Sequence, residues 1–294
     1  MEQNFTDLIT ICIPVWERYE YFVTAINSAI NQTVRCPIIV TDNASSHDKF
    51  KKFVLDKGDP TISYNRNPAN IGVNNWNKCF ELCKTSWCSI LHDDDYLDPR
   101  FIEFSLNKIA LNPGIAALAV GCRVGTSINP SEFTCIPDEK GTIFTSASIL
   151  YTSLTPAPGV VFRCKTARAL KGFHEIDYCA DLDFWYRLAK SGIVLKYESV
   201  LSFYRISENS GNLSQLTVNS SYDYRKGIAK GFIQKHLVKR ATLSLLGSYA
   251  KAHKKKLKAP FSLVYFQLVE SGIKFLKFFG RFFKYNPRIK DFMN

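Results

Sequence analysis

Apolar and polar positions over the first two thirds of the chain switch between two periods. Leu8 to Pro14 (LITICIP) is a short run rich in β-branched residues, the pattern of a strand buried on both faces. Tyr19 to Asn31 changes to helical spacing, with Phe22, Ala25, Ile26, Ala29 and Ile30 on one side. Pro37 to Thr41 (PIIVT) predicts a second strand stopping at Asp42, and a weaker strand passes through Tyr64. Asn74 to Thr85 predicts a helix with Trp76, Cys79, Phe80 and Cys83 on one face, and Trp87 to Leu91 a strand that delivers Asp93, Asp94 and Asp95. Strand and helix alternating in units of this length predict an α/β fold, Rossmann-like, with a mostly parallel sheet and covering helices.

Ligands of such sheets gather beyond the carboxyl ends of the strands. Three ends carry polar punctuation: Pro14 with Trp16 and Glu17, Asp42 with Asn43, and the three aspartates. Adjacent carboxylates repel one another at a partly buried strand end, so a positive partner is required there. No GxGxxG follows the first strand and no GxxxxGK[ST] occurs in the chain. That argues against dinucleotide dehydrogenases and P-loop enzymes, and leaves a divalent cation on the aspartates to meet phosphate charge.

Composition adds a second part to the chain. Its 294 residues, 46% hydrophobic and 22% charged, suffice for one large domain with an appendage. The nine cysteines lack finger-like spacing and read as reduced thiols of a cytoplasmic protein. The start MEQNFTDLITICIP does not read as a signal peptide, and no apolar run approaches the ~18 to 20 residues of a membrane span. The net charge of +12 is uneven: from Arg225 onward there are 17 Lys and Arg against Glu270 and Asp291, so the preceding body is slightly acidic. Between Phe261 and Lys284, Lys274, Lys277, Arg281 and Lys284 recur on one side, with Phe275, Phe278, Phe279, Phe282 and Phe283 filling the rest. This is the pattern of a helix lying in a membrane interface, or of one packing its phenylalanines on the body. The expected domains are 1–220 and a basic helical tail, 221–294.

The succession TICIPVWER, AINSAINQT, PIIVTDNASSHD, NRNPANIGVNNWNKCFE, HDDDYLDP and ADLDFWYRLAKSG, in one order over residues 7 to 210, resembles the family 2 glycosyltransferases of GT-A fold. The resemblance implies an inverting transfer of a sugar from a nucleotide diphosphate donor, a UDP-sugar first and a dTDP-sugar next, to a hydroxyl of a glycan acceptor. It implies Mg²⁺ or Mn²⁺ as cofactor. With the basic tail, it suggests a lipid-linked acceptor in O-antigen or capsule synthesis and an enzyme peripheral on the cytoplasmic face of the inner membrane.

By the same resemblance, Pro14, Val15 and Glu17 pack against the nucleotide and Asp42 contacts base or ribose, unless Asp42 only caps the turn to Asp48. Arg66 and the turn at Gly72 line that pocket, although Gly72 also reads as a plain tight turn. Asp94 is the main metal ligand with Asp95 in support, and Asp93 is ribose- or metal-adjacent; His92 stands where the family's first aspartate falls. Asp181 is the general base, with Asp183 as the substitute or simply a first-turn acid, and Ala180 replaces a common glutamate. Thr155 to Arg163 resembles the acceptor-side strand. Within Ser202 to Ser214 the resemblance gives Arg205 a diphosphate, while a surface charge is the other reading. Two other classes stay open: a sugar-phosphate nucleotidyltransferase, which should carry glycine after its first strand, and a nucleic-acid-binding protein, which leaves the aspartates unexplained and is not expected to be a partner class.

Overall fold

The computed structural model describes residues 9–150, 152–176, 179–206, 220–221 and 223–231. The expected helix between Phe261 and Lys284, and the Ser207 to Ser214 part of the closing loop, lie outside the described residues. The chain divides into two units, Met1–Tyr224 and Arg225–Asn294, and the candidate site belongs to the first.

Among the described residues nine strands form one sheet. In chain order they are β1 (Ile9–Val15), β2 (Ile38–Asp42), β3 (Ile62–Arg66), β4 (Trp87–Ile90), β5 (Tyr96–Leu97), β6 (Ala117–Gly125), β7 (Thr142–Phe144), β8 (Val160–Arg163) and β9 (Val194–Arg205). The helices are α1 (Tyr19–Ile30), α2 (Lys49–Lys57), α3 (Asn74–Leu82), α4 (Phe101–Leu111), α5 (Cys164–Ala169) and α6 (Ala180–Ser191). The sheet order is β3-β2-β1-β4-β8-β6-β9-β5, with β7 on β9. β3, β2, β1 and β4 are parallel neighbours; β8 is antiparallel to both β4 and β6, and β9 runs parallel to β6. The carboxyl ends of β1, β2, β4, β6 and β9 therefore share one edge of the sheet, and β8 begins there.

The core explains the elements. β1 is buried along its whole length, as its unbroken apolar run demands, and Phe22, Ala25 and Ile26 of α1 pack against it. On the other face Phe80, Phe162, Phe173, Phe184 and Trp185 form an aromatic cluster that seats α6 on the sheet; the Phe162 and Trp185 rings lie 5.5 Å apart and nearly parallel. None of the nine cysteines is in a disulfide, and the Cys83 and Cys164 sulfurs meet at 3.4 Å as small buried hydrophobes between α3 and α5.

Candidate active site

The turn after β1 is tightly wound. Pro14 and Val15 are buried at the strand end, Val15 in the main core. Glu17 adopts a left-handed φ of 61°, a conformation that disfavours a side chain and needs support. Its amide donates to Ser45 Oγ at 3.1 Å, while its carboxylate accepts from the Ser46 amide at 2.7 Å and the Ser46 hydroxyl at 2.8 Å. Those Ser46 bonds hold the Glu17 carboxyl below the usual range. Glu17 thus ties the loop after β1 to the loop after β2. Next to it, the Trp16 indole is 51% exposed at the lip of the crevice.

Asp42 ends β2 and is completely buried. Its Oδ1 accepts from the Ser45 amide at 2.9 Å and the Ser45 hydroxyl at 2.6 Å, and its Oδ2 accepts from the Tyr64 hydroxyl at 2.6 Å. Arg66 Nη1 stands 3.8 Å from Asp42 Oδ2 and donates to Asp48 Oδ1 at 2.8 Å, while its Nη2 bonds the Ser45 carbonyl. Both residues shape the loop 43–48. A chain of amides continues the rim: Asn43 accepts from the Ile71 amide at 2.9 Å, and Asn70 takes protons from Asn43 and the Gly72 amide. Asn75 anchors α3 by donating to the Thr41 carbonyl at 2.9 Å. Gly72 has a φ of 57°, which is the reason for glycine in this turn.

The aspartates follow β4 in a loop braced from three sides. Asp95 is fully enclosed; its Oδ1 accepts from the Arg205 amide at 2.9 Å, and its Oδ2 lies 3.3 Å from His92 Nδ1 without an aligned hydrogen bond. Arg205 spends Nε on the Asp94 carbonyl and Nη1 on the Thr126 carbonyl, so it buckles the aspartate loop onto the end of β9. His92 stacks on Trp76 at 4.9 Å. Burial alone would lower the His92 pKa, but Asp95, Asp94 and Asp93 outweigh it and the pKa is raised.

Asp93 and Asp94 face the crevice, and the positive partner their charge requires is Arg18. Arg18 Nη2 contacts Asp93 Oδ1, and Nη1 donates to Asp94 Oδ2 at 2.6 Å. The Trp16 amide adds a long bond to Asp93 Oδ2 at 3.4 Å. Burial, offset in part by Arg18, pushes the Asp93 carboxyl up to about 6. Among the described residues no group of three or more His, Cys, Asp or Glu is arranged to hold a metal ion by itself. Two adjacent carboxylates already shared by one cation do suit a hard divalent ion whose other ligands come from phosphate oxygens.

Asp181 and Asp183 lie in the first turn of α6, where the helix dipole favours negative charge. They differ in surroundings. Asp183 is buried: Oδ2 accepts from Arg187 Nε at 2.6 Å and lies 3.2 Å from His174 Nδ1, and Oδ1 accepts from the Tyr224 hydroxyl at 2.7 Å. Asp181 is only partly buried, with Oδ1 2.7 Å from the Leu182 amide. Tyr204, at the end of β9, feels the charges of Asp95, Asp94 and Asp181 together; burial and then these carboxylates raise its pKa.

Known proteins resemble this chain over much of its length. Residues 10–142 match the family model described as Glycosyl transferase family 2. That stretch resembles the family 2 glycosyltransferases. The chain is 25% identical over 254 residues to an uncharacterized glycosyltransferase of Rickettsia typhi, covering 84% of this chain and 78% of that protein. It is also 25% identical over 199 residues to the chondroitin synthase of Escherichia coli, covering 63% of this chain and 27% of that one. Residues 1–349 of S. aureus TarS, solved in complex with UDP-GlcNAc, superpose with a TM-score of 0.60 at 12% identity, over 79% of this chain and 73% of that chain. The fold is GT-A.

Within this fold the structure brings Pro14, Glu17, Asp93, Asp94, Asp95 and Arg205 to one edge and adds Asp42, Arg66 and Gly72 as the frame beside it. Sequence reasoning noted Trp16 only as strand-end punctuation and gave no role to Arg18 or Tyr204. Arg18 is one residue beyond Glu17 in a strand-end turn already singled out, and an unpaired arginine within that turn was the available signal for the cation the aspartates require.

Proposed function

We propose that this chain is an inverting glycosyltransferase that moves a sugar from a nucleotide diphosphate, a UDP-sugar by preference, to a hydroxyl of a glycan acceptor. The observation that carries the proposal is the Asp93–Asp94 pair, held by Arg18 just beyond β4 at the carboxyl edge of a GT-A sheet, with Asp181 in the first turn of α6 and Asp183 bonded to Arg187 and Tyr224. Asp181 takes the proton of the acceptor hydroxyl as its oxygen attacks the sugar carbon. The bond from that carbon to the diphosphate oxygen breaks in line on the far side, which inverts the centre. Asp94 and Asp93 would hold a Mg²⁺ or Mn²⁺ ion, which when bound neutralises charge on the diphosphate leaving group. The exposed indole of Trp16 offers a flat face for the nucleobase, and Asp42 with Arg66 keeps the neighbouring loop in shape for it.

The donor class is supported by the TarS complex with UDP-GlcNAc, and a polysaccharide product by the chondroitin synthase relative. The excess of Lys and Arg from Arg225 onward, with the phenylalanines between Phe261 and Lys284, supports a lipid-linked acceptor at an anionic membrane face, in surface polysaccharide synthesis. Among the described residues no helix is long and apolar enough to cross a membrane. The first turn after β1, Trp16-Glu17-Arg18, holds no glycine, which disfavours a nucleotidyltransferase.

A panel of UDP-, dTDP- and GDP-sugars, incubated with and without Mn²⁺ and scored for slow release of nucleoside diphosphate, tests the proposal. Release of UDP from one or two UDP-sugars, dependent on Mn²⁺ and on Asp181, is the expected result. Release of pyrophosphate from a nucleoside triphosphate and sugar phosphate, with no diphosphate released from any sugar nucleotide, overturns it.

A further inference from the structure

We propose that Arg18 is the resident counter-cation of the Asp93–Asp94 pair, and that it makes divalent-cation binding conditional on a nucleotide diphosphate. This rests on the glycosyltransferase reading above. One guanidinium spans both carboxylates, using its two terminal nitrogens. It is also the layer between them and solvent, because the Arg18 side chain is 41% exposed while those of Asp93 and Asp94 are 3% and 9% exposed. A cation approaching from the crevice must take the place Arg18 holds.

The backbone stays where it is during that exchange. The Arg18 amide donates to the Trp16 carbonyl at 2.8 Å, and the Arg18 carbonyl accepts from Phe22 in the first turn of α1 at 3.2 Å. Only the side chain has room to leave. Mn²⁺ alone gains two carboxylates but strands the displaced guanidinium, and it must fill its remaining positions with water. A diphosphate changes both sides of that balance: its oxygens complete the cation's shell, and they give Arg18 a new forked acceptor of the kind guanidinium groups favour. Cation and diphosphate therefore bind as a set, and the aspartates are never left unpaired in the free protein.

The test titrates Mn²⁺ against wild type, Arg18→Gln and Arg18→Lys, following the free-ion EPR signal first with Mn²⁺ alone and then with UDP. Wild type should bind Mn²⁺ alone weakly and at least tenfold more tightly with UDP. Arg18→Gln should bind Mn²⁺ alone about tenfold more tightly than wild type, the effect of removing one half-exposed charge-assisted fork, and UDP should tighten it by a smaller factor than in wild type, because only completion of the cation's shell remains. Mn²⁺ alone should raise the melting temperature of Arg18→Gln and leave that of wild type unchanged. If Arg18→Gln does not fold, Arg18→Lys carries the test: one ammonium cannot span both carboxylates, so Mn²⁺ alone must still bind it more tightly than wild type. Wild type that takes Mn²⁺ alone as tightly as the variants overturns the role of Arg18 and leaves the metal reading standing. Failure of every protein to bind Mn²⁺ even with UDP sinks both together.

Discussion

Asp181 and Asp183 occupy a single turn of α6, and replacing each by asparagine separates a reacting group from a buried strut. Asp183→Asn removes the charge that Arg187 Nε meets at 2.6 Å and the Tyr224 hydroxyl meets at 2.7 Å. Charge-assisted bonds contribute about 1.5 to 3 kcal/mol each, which sets an upper bound near the sum of two. The loss is smaller, because the amide oxygen still accepts one bond and Arg187 keeps the Leu170 carbonyl at 2.7 Å and the Gly172 carbonyl at 2.6 Å. The expected cost is about 2 to 3 kcal/mol, or a drop in Tm of roughly 4 to 12 °C for a unit of this size. Asp181→Asn should cost less than Asp183→Asn, since its side chain is only partly buried and an amide oxygen can still accept from the Leu182 amide. Its effect is on rate: transfer to an acceptor should fall by a factor on the order of 10² to 10⁴ with donor affinity retained. Differential scanning fluorimetry on both variants, beside UDP affinity and transfer rates for the properly folded fraction, reads the two effects separately. An Asp183→Asn protein with unchanged Tm and lost transfer, beside an active Asp181→Asn, would reverse the roles.

Three further outcomes are expected. Asp94→Ala should abolish the Mn²⁺-dependent part of UDP affinity, measured by calorimetry, and lower turnover by about 10²-fold or more, the several kcal/mol that charge neutralisation at a leaving group supplies. Asp93, raised to about 6 by burial, keeps in the folded state a proton that the unfolded chain releases. Stability should thus fall as pH rises from the ordinary carboxylate range through about 6, by up to about 3 kcal/mol. Urea midpoints at pH 4.5 and 6.5 check this: the drop should shrink in Asp93→Asn, and an equal drop in both proteins would refute it. Gly172→Ala meets a φ of 60° and would put a Cβ 2.1 Å from Asn77 Oδ1, so it should cost about 2 kcal/mol or more in urea unfolding.

The parallel half of the sheet was legible because burial on both faces leaves an unmistakable mark. β1, β2 and β4 stand within a residue or two of the apolar runs that announced them, and α1 follows its Phe22-Ala25-Ile26 stripe. The other half was less readable. β8 runs against its neighbours, β7 has three residues, and the long β9 takes its pairing from three different strands, none of which local periodicity encodes. α2 presents only Phe50 and Val54 to the core, too few apolar positions to stand out among its lysines. For the site, the pattern located the aspartates but not their partners. Arg18 and Asp94 are distant in sequence, and the arginine's reach was decided by the Glu17 turn.

That division has a consequence for how residues of the family motifs are interpreted. The resemblance puts Glu17, Asp42, Arg66 and Arg205 at the nucleotide sugar, with a turn cap for Asp42 and a surface charge for Arg205 as the other readings, and each also hydrogen-bonds the protein: Glu17 to Ser46, Asp42 to Ser45 and Tyr64, Arg66 to Asp48, Arg205 to the carbonyls of Asp94 and Thr126. Loops at a strand edge have few apolar contacts to fix them, so polar cross-links between loops must do it. A loop fixed this way costs no ordering when a ligand arrives, which is the condition for electrostatic groups to act at full strength on developing charge. Arg18 is the exception that makes the arrangement work: its backbone is as firmly held as the others, but its partners are the two carboxylates a cation would want. The rigid residues define where the charge sits, and Arg18, which bridges both carboxylates, decides when it becomes available.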